Sequence, residues 1–174
     1  MHIFSRLLNS LKAHGGNVIL FALVAFLLWR QAPLWWANKK MEGVLVSQAS
    51  VQNDSGQSHL LPDHSAAVYL FWATWCTPCH VEMEHFRKAV DNGELPAARI
   101  FAINMGEEHS IAKTFWSKEK YPFQLIFDDK EALIRQFEVA VTPTVAFVDA
   151  SGKISEVSSG VSLLNVSRAK KILK

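Results

Sequence analysis

Between Lys12 and Arg30 lie seventeen residues with no ionisable side chain except His14, and within them Val18–Trp29 is an unbroken apolar run of twelve. Seventeen helical residues at about 1.5 Å each reach roughly 25 Å, the short end of what crosses a bilayer core. Arg30 can snorkel, and Pro33, Trp35 and Trp36 follow where an interfacial aromatic belt belongs. The pattern predicts one membrane-spanning helix within residues 1–37. A secretory signal shares the positive start, here Arg6 and Lys12, but needs a small-x-small cleavage site soon after the apolar run. The chain instead continues Arg30-Gln31-Ala32-Pro33-Leu34-Trp35-Trp36, so an uncleaved anchor is expected.

Beyond the anchor the pattern changes period. Residues 38–66 read as a linker and a short hairpin: Val44-Leu45-Val46 and Leu60-Leu61 flank the turn-rich cluster Gln52-Asn53-Asp54-Ser55-Gly56-Gln57-Ser58. Ala67-Val68-Tyr69-Leu70-Phe71-Trp72 is a continuous apolar run of strand length, as expected of a central strand covered on both faces. Helix-forming composition over Val81–Val90 ends at Asp91-Asn92-Gly93, and Arg99–Asn104 is a second buried strand. A helix over Ser110–Lys118, a strand over Phe123–Phe127, a helix over Lys130–Phe137 and a strand over Val145–Val148 follow. Asp149-Ala150-Ser151-Gly152 then turns into Ile154–Val157, and Ser162–Leu173 closes the chain as a helix with Leu163, Leu164, Val166 and Ile172 available for burial. This order predicts an α/β domain over residues 67–174.

Composition and charge narrow the function. Of the 174 residues 49% are apolar and 20% charged, enough to fill a core. Residues 1–42 carry five basic side chains against Glu42 alone, whereas the rest carry thirteen basic against fifteen acidic. The net charge of +2 therefore belongs to the N-terminal segment. A mildly acidic globular part with no Lys/Arg stripe excludes a nucleic-acid partner, whose affinity would rest on phosphate neutralisation.

The candidate chemistry is in Trp75-Cys76-Thr77-Pro78-Cys79-His80, which holds the only two cysteines, between a buried strand and a helix. A thiol at a helix N-terminus meets unpaired N–H groups and the positive end of the macrodipole, which lower its pKa into a range of about 3.5 to 7.5. A second sulfur one turn inward can attack a mixed disulfide made by the first.

The stretch Trp72-Ala73-Thr74-Trp75-Cys76-Thr77-Pro78-Cys79-His80 after an apolar strand resembles the thioredoxin superfamily, in particular its membrane-anchored TlpA/ResA/DsbE (CcmG)-like branch. The anchor, Glu82 at the C-x-x-C-x-x-E glutamate, Val141-Thr142-Pro143-Thr144 at the cis-proline loop, and Phe147-Val148-Asp149-Ala150-Ser151-Gly152-Lys153 match as well. The resemblance covers about residues 43–174. It implies a thioredoxin-like fold, a mixed sheet flanked by helices, on the periplasmic side of the inner membrane. It also implies a thiol-disulfide oxidoreductase with no cofactor beyond the Cys76–Cys79 disulfide. By it Cys76 is the nucleophile, Cys79 the resolving thiol and Glu82 the proton-handling group, while Trp75, Thr142 and Pro143 meet the substrate and Thr77, Pro78 and His80 tune the site. The branch is one of reductases, often of apocytochrome c thiols before haem attachment, re-reduced by a transmembrane thiol carrier, and a monomer is expected. One departure concerns the buried acid that thioredoxin keeps six residues before its first cysteine, because Leu70 stands there.

Other readings of the same residues remain. Cys76-Thr77-Pro78-Cys79-His80 matches the c-type haem attachment motif, although Pro78, Trp75 and the α/β pattern have no place in a small helical cytochrome. Two thiolates with His80 and His85 could bind zinc or cuprous copper, but histidines five apart on one helix face different directions. A disulfide oxidase or isomerase of the same fold is the third. In structural terms, His80 is expected to be an exposed first-turn residue modulating Cys76, and Glu84 and His85 a solvated helix face. Glu107, Glu108 and His109 read as a surface loop, and Phe115, Trp116 and Tyr121 as packing.

Overall fold

A computed structural model describes residues 20–27, 29, 36 and 38–174. The chain divides into two compact units, residues 1–37 and 38–174. In the first, residues 20–27 are helical and their apolar side chains, among them Phe21, Leu23 and Phe26, are exposed. Among the described residues no helix is long and apolar enough to cross a membrane. Residues 13–19 and 28 of the expected span lie outside them.

The second unit is built on β3 (Ala67–Trp72), whose six residues are all buried. Alternation along the strand sends Val68, Leu70 and Trp72 to one face, against Met83, Phe86 and Ala89. Ala67, Tyr69 and Phe71 go to the other, against Leu133 and Phe137. A strand covered on both sides has no polar face, which is why the sequence shows an unbroken apolar run there. Each large side chain so buried contributes on the order of 1.5–3 kcal/mol.

The other strands are β1 (Ala49–Asn53), β2 (Ser58–Leu61), β4 (Ile100–Asn104), β5 (Gln124–Phe127), β6 (Thr144–Val148) and β7 (Ile154–Ser159). They form one seven-stranded sheet in the order β2-β1-β5-β4-β3-β6-β7. β3, β4 and β5 are parallel, and the remaining pairings are antiparallel. The helices are α1 (Thr77–Asp91), α2 (His109–Glu119), α3 (Ala132–Gln136) and α4 (Asn165–Ile172). Every parallel pair is joined through a helix, as parallel strands require.

The first hairpin and the starts of two helices differ from the sequence-based expectation. The N-terminal hairpin forms from Ala49–Asn53 and Ser58–Leu61, with Ala49, Val51 and Leu61 turned inward. Val44–Val46 pairs elsewhere: Gly43 N–H and Val46 N–H donate to Ile154 and Gly152 carbonyls (2.7 and 2.9 Å), and Ile154 N–H to Val44 (2.9 Å). Gly152 permits this approach, because at φ +82° it takes the turn while Leu45 Cδ1 and Pro62 Cγ stand 3.5 and 3.7 Å from where a Cβ would sit. Helix α1 starts at Thr77, in keeping with the cysteines' expected place at a helix N-terminus, since Cys76 caps it and Pro78 fits the first turn. Helix α3 starts at Ala132 because the buried Asp128 carboxylate accepts the N–H groups of Ala132, Leu133 and Ile134 (2.9, 2.7 and 3.0 Å). Helix α4 starts only at Asn165, which leaves Leu163 and Leu164 exposed instead of buried.

Candidate functional site

The site lies where β3 runs out and α1 begins. Ala73 carbonyl accepts the Cys76 N–H (3.1 Å) in the turn between them, and Cys76 is the N-cap of α1. Its sulfur accepts the Cys79 N–H at 3.2 Å, one of the four amides that a helix start leaves without an internal partner. Cys76 and Cys79 are joined in a disulfide with Cα atoms 5.3 Å apart. Cys76 keeps 4% of its surface in water and Cys79 none. The outer sulfur is thus the accessible one, and on reduction the same amide would stabilise a thiolate there.

Around the disulfide, Trp75 is 72% exposed, and Thr77 and Pro78 are exposed too. The Thr142–Pro143 bond is cis, as the resemblance implies, and Pro143 is buried with its carbonyl accepting Gly160 N–H (2.8 Å). Thr144 pairs with Phe71 on one side and Ser159 on the other, so the proline loop stands at the same end of the sheet as the cysteines.

Glu82 follows Cys79 by three residues, on the same face of α1, and is fully buried. Its Oε2 accepts the Ser162 N–H and its Oε1 the Asn165 amide, each at 2.9 Å. These bonds tie the loop before α4 to the dithiol helix. Neither Ser162 nor Asn165 was visible as a site residue in sequence, because they meet Glu82 across separations of 80 and 83 residues.

Three expectations need correction. His80 is half-buried rather than exposed: its ring stacks on Phe115 with centroids 4.8 Å apart, and its Nε2 is enclosed. His85 is not a plain solvated residue either, since its Nδ1 is buried 3.9 Å from Glu82 Oε2, while Glu84 on the outer side pairs with Arg87. Glu107 does more than line a surface loop. It accepts the Thr74 N–H (2.8 Å), the Thr74 hydroxyl and the buried Asn104 amide (2.7 Å), and so fixes the turn two residues before Cys76. An Asn-x-x-Glu spacing at the end of a strand, Asn104 to Glu107, was the one signal for it. Among the described residues no group of three or more His, Cys, Asp or Glu side chains is placed to hold a metal ion.

The arrangement can do one kind of chemistry: an accessible sulfur on a helix N-terminus, a buried sulfur behind it, and a buried carboxylate one turn further. The AhpC/TSA family model matches residues 43–157. The thiol-disulfide oxidoreductase ResA of Geobacillus thermodenitrificans (strain NG80-2) is 28% identical over 133 residues, which cover 72% of this chain and 76% of the relative. Among solved structures, StoA from Bacillus subtilis superposes with a TM-score of 0.63 at 18% identity over 75% of this chain and 98% of its own. A putative thiol:disulfide interchange protein DsbE from Chlorobium tepidum gives 0.60 at 21% identity over 76% and 94%. These structures share the thioredoxin-like α/β fold with the chain.

Proposed function

Because the chain belongs to the AhpC/TSA family and is a thioredoxin-like thiol-disulfide oxidoreductase, we propose that it is a membrane-anchored reductase of extracytoplasmic protein disulfides. The observation that carries the reading is the Cys76–Cys79 disulfide at the start of α1, with its outer sulfur accessible and its inner one sealed. Reduced Cys76 attacks a partner disulfide and forms a mixed disulfide. Cys79 then attacks Cys76, restores the internal bond and frees the partner thiol. Glu82 takes the Cys79 proton as that thiol becomes a nucleophile. Trp75, Thr142 and Pro143 meet the substrate, and Thr77 and Pro78 set the potential together with His80.

Proline before the second cysteine favours the reductant direction, as in thioredoxin. The apolar run Val18–Trp29 serves as a single inner-membrane anchor, residues 67–174 as the periplasmic catalytic domain, and apocytochrome c thiols as the substrate class, with a transmembrane thiol carrier as the reductant. The test uses a disulfide-bonded model peptide. Cys76→Ser abolishes exchange, and Cys79→Ser accumulates a mixed disulfide visible by mass; full turnover in both variants overturns the mechanism.

A further inference from the structure

Among the described residues, the polar groups set against the Glu82 carboxylate stand on the α4 side and on its own helix. On the α4 side both oxygens are taken, by Ser162 N–H and by the amide of fully buried Asn165. Behind that amide, Asn165 Oδ1 accepts Arg168 Nη1 (2.8 Å), and Arg168 Nε is tied to Glu156 on β7 (2.7 Å). An amide and a guanidinium do not exchange a proton at ordinary pH, so this chain of bonds holds the carboxylate and cannot drain it. On its own helix, Glu84 is engaged with Arg87 and Lys88 (2.5 and 3.8 Å) on the outer side of α1.

His85 is the remaining group. It stands three residues after Glu82, its Nδ1 is 3.9 Å from Oε2, and that nitrogen is buried without a hydrogen-bond partner. The side chain as a whole is 26% exposed, so the ring spans from the enclosed carboxylate to the surface. An imidazole can take a proton on one nitrogen and lose one from the other, which no neighbour of Glu82 on α4 can do.

We propose that His85 carries the resolving thiol's proton between Glu82 and solvent, a role that rests on the oxidoreductase reading above. When the protein reduces a substrate, the Cys79 thiol gives its proton to the Glu82 carboxylate and its sulfur attacks Cys76 Sγ. The Cys76–Cys79 bond forms, the Cys76–substrate bond breaks, and the substrate leaves as a thiolate with the electron pair. Glu82 passes the proton to His85 Nδ1, and His85 releases its Nε2 proton to water. Reduction of the internal disulfide by the next thiol donor runs these transfers in reverse, which returns the imidazole to its first tautomer.

The experiment follows release of a peptide thiol from the mixed disulfide in the full chain by stopped flow, with far-ultraviolet circular dichroism confirming that each variant is folded. His85→Gln is expected to slow release by about tenfold or more and to make the rate rise with added imidazole. His85→Asn is the second variant should the glutamine chain not fold. A folded variant with an unchanged rate, or a slow one that imidazole does not accelerate, overturns the role of His85. If the unaltered chain releases no peptide thiol, or Cys76→Ser still does, the oxidoreductase reading falls first and this role with it.

Discussion

Cys76 and Cys79 are chemically alike and differ only in surroundings. Cys76 caps the helix at its solvent edge, and Cys79 is sealed one turn inward between the helix and the sheet. Exposure decides which sulfur a bulky partner can reach, so the order of attack follows from placement. Glu82 extends the same logic: Leu70 occupies the position of thioredoxin's buried acid, which leaves Glu82 as the buried carboxylate on the dithiol helix. Glu82→Gln keeps the shape and removes the base, and the expected outcome is a pH–rate profile for mixed-disulfide resolution that shifts along the pH axis; an unchanged profile removes its proton role. Away from the site, the Arg99 guanidinium grips Asp63 through two bonds (2.9 and 2.8 Å) and holds its carboxyl below the ordinary value of 3.8. A depressed carboxylate contributes stability that is present above its unfolded pKa and is lost as pH falls through the folded one. Asp63 is partly exposed, so the contribution is small, but its sign is definite. Asp63→Asn should lose less of its urea midpoint than the unaltered chain between about pH 5 and about pH 3, and an equal loss would show that the pair is screened out.

At the scale of elements, the turns and caps explain what the hydrophobic pattern could and could not convey. β3 and β4 were legible because strands buried on both faces leave unbroken apolar runs. The first hairpin was misplaced because β1 buries only Ala49 and Val51 among polar neighbours, whereas Val44–Val46 is the more apolar run but joins Ile154 and Gly152. The start of α3 failed for a related reason, since it depends on a carboxylate placed by the fold. Asp128 serves three amides at the start of α3, and nothing in its immediate sequence distinguishes it from a loop aspartate. Asp128→Ala leaves those donors without a partner and should cost about 1–2 kcal/mol, read as a lower denaturant midpoint at unchanged slope. In the site, C-x-x-C was visible as local spacing, and Glu82 through the family resemblance. Ser162, Asn165, His85 and the Thr74–Glu107 contact were not, because each takes its meaning from a partner or a burial that only the folded chain supplies.

At the scale of the whole molecule, and among the described residues, both hydrophobic clusters draw their members from residues 41–173. The seven strands, helices α1–α4 and the dithiol all lie within the second unit. A fragment beginning at Asn38 should fold and come to the same equilibrium with glutathione as the full chain, read by trapping free thiols. A value near thioredoxin's, about −270 mV, supports the reductase direction, and one near DsbA's, about −120 mV, would make the protein an oxidase. A fragment whose value departs from that of the full chain would show that residues 1–37 take part in the redox equilibrium.

Asn38, the first residue of that unit, accepts a hydrogen bond from Ser159 (3.1 Å), and Ser159 pairs with Thr144 beside the proline loop. Asn38 itself thus stands at the redox end of the sheet. Were the protein held to a support through the residues before Asn38, the local concentration of dithiol seen by anything fixed to the same support would be set by the reach of that tether rather than by bulk dilution. Attached by its N-terminus to a bead, the protein should favour thiol donors and disulfides immobilised on that bead over identical ones free in solution.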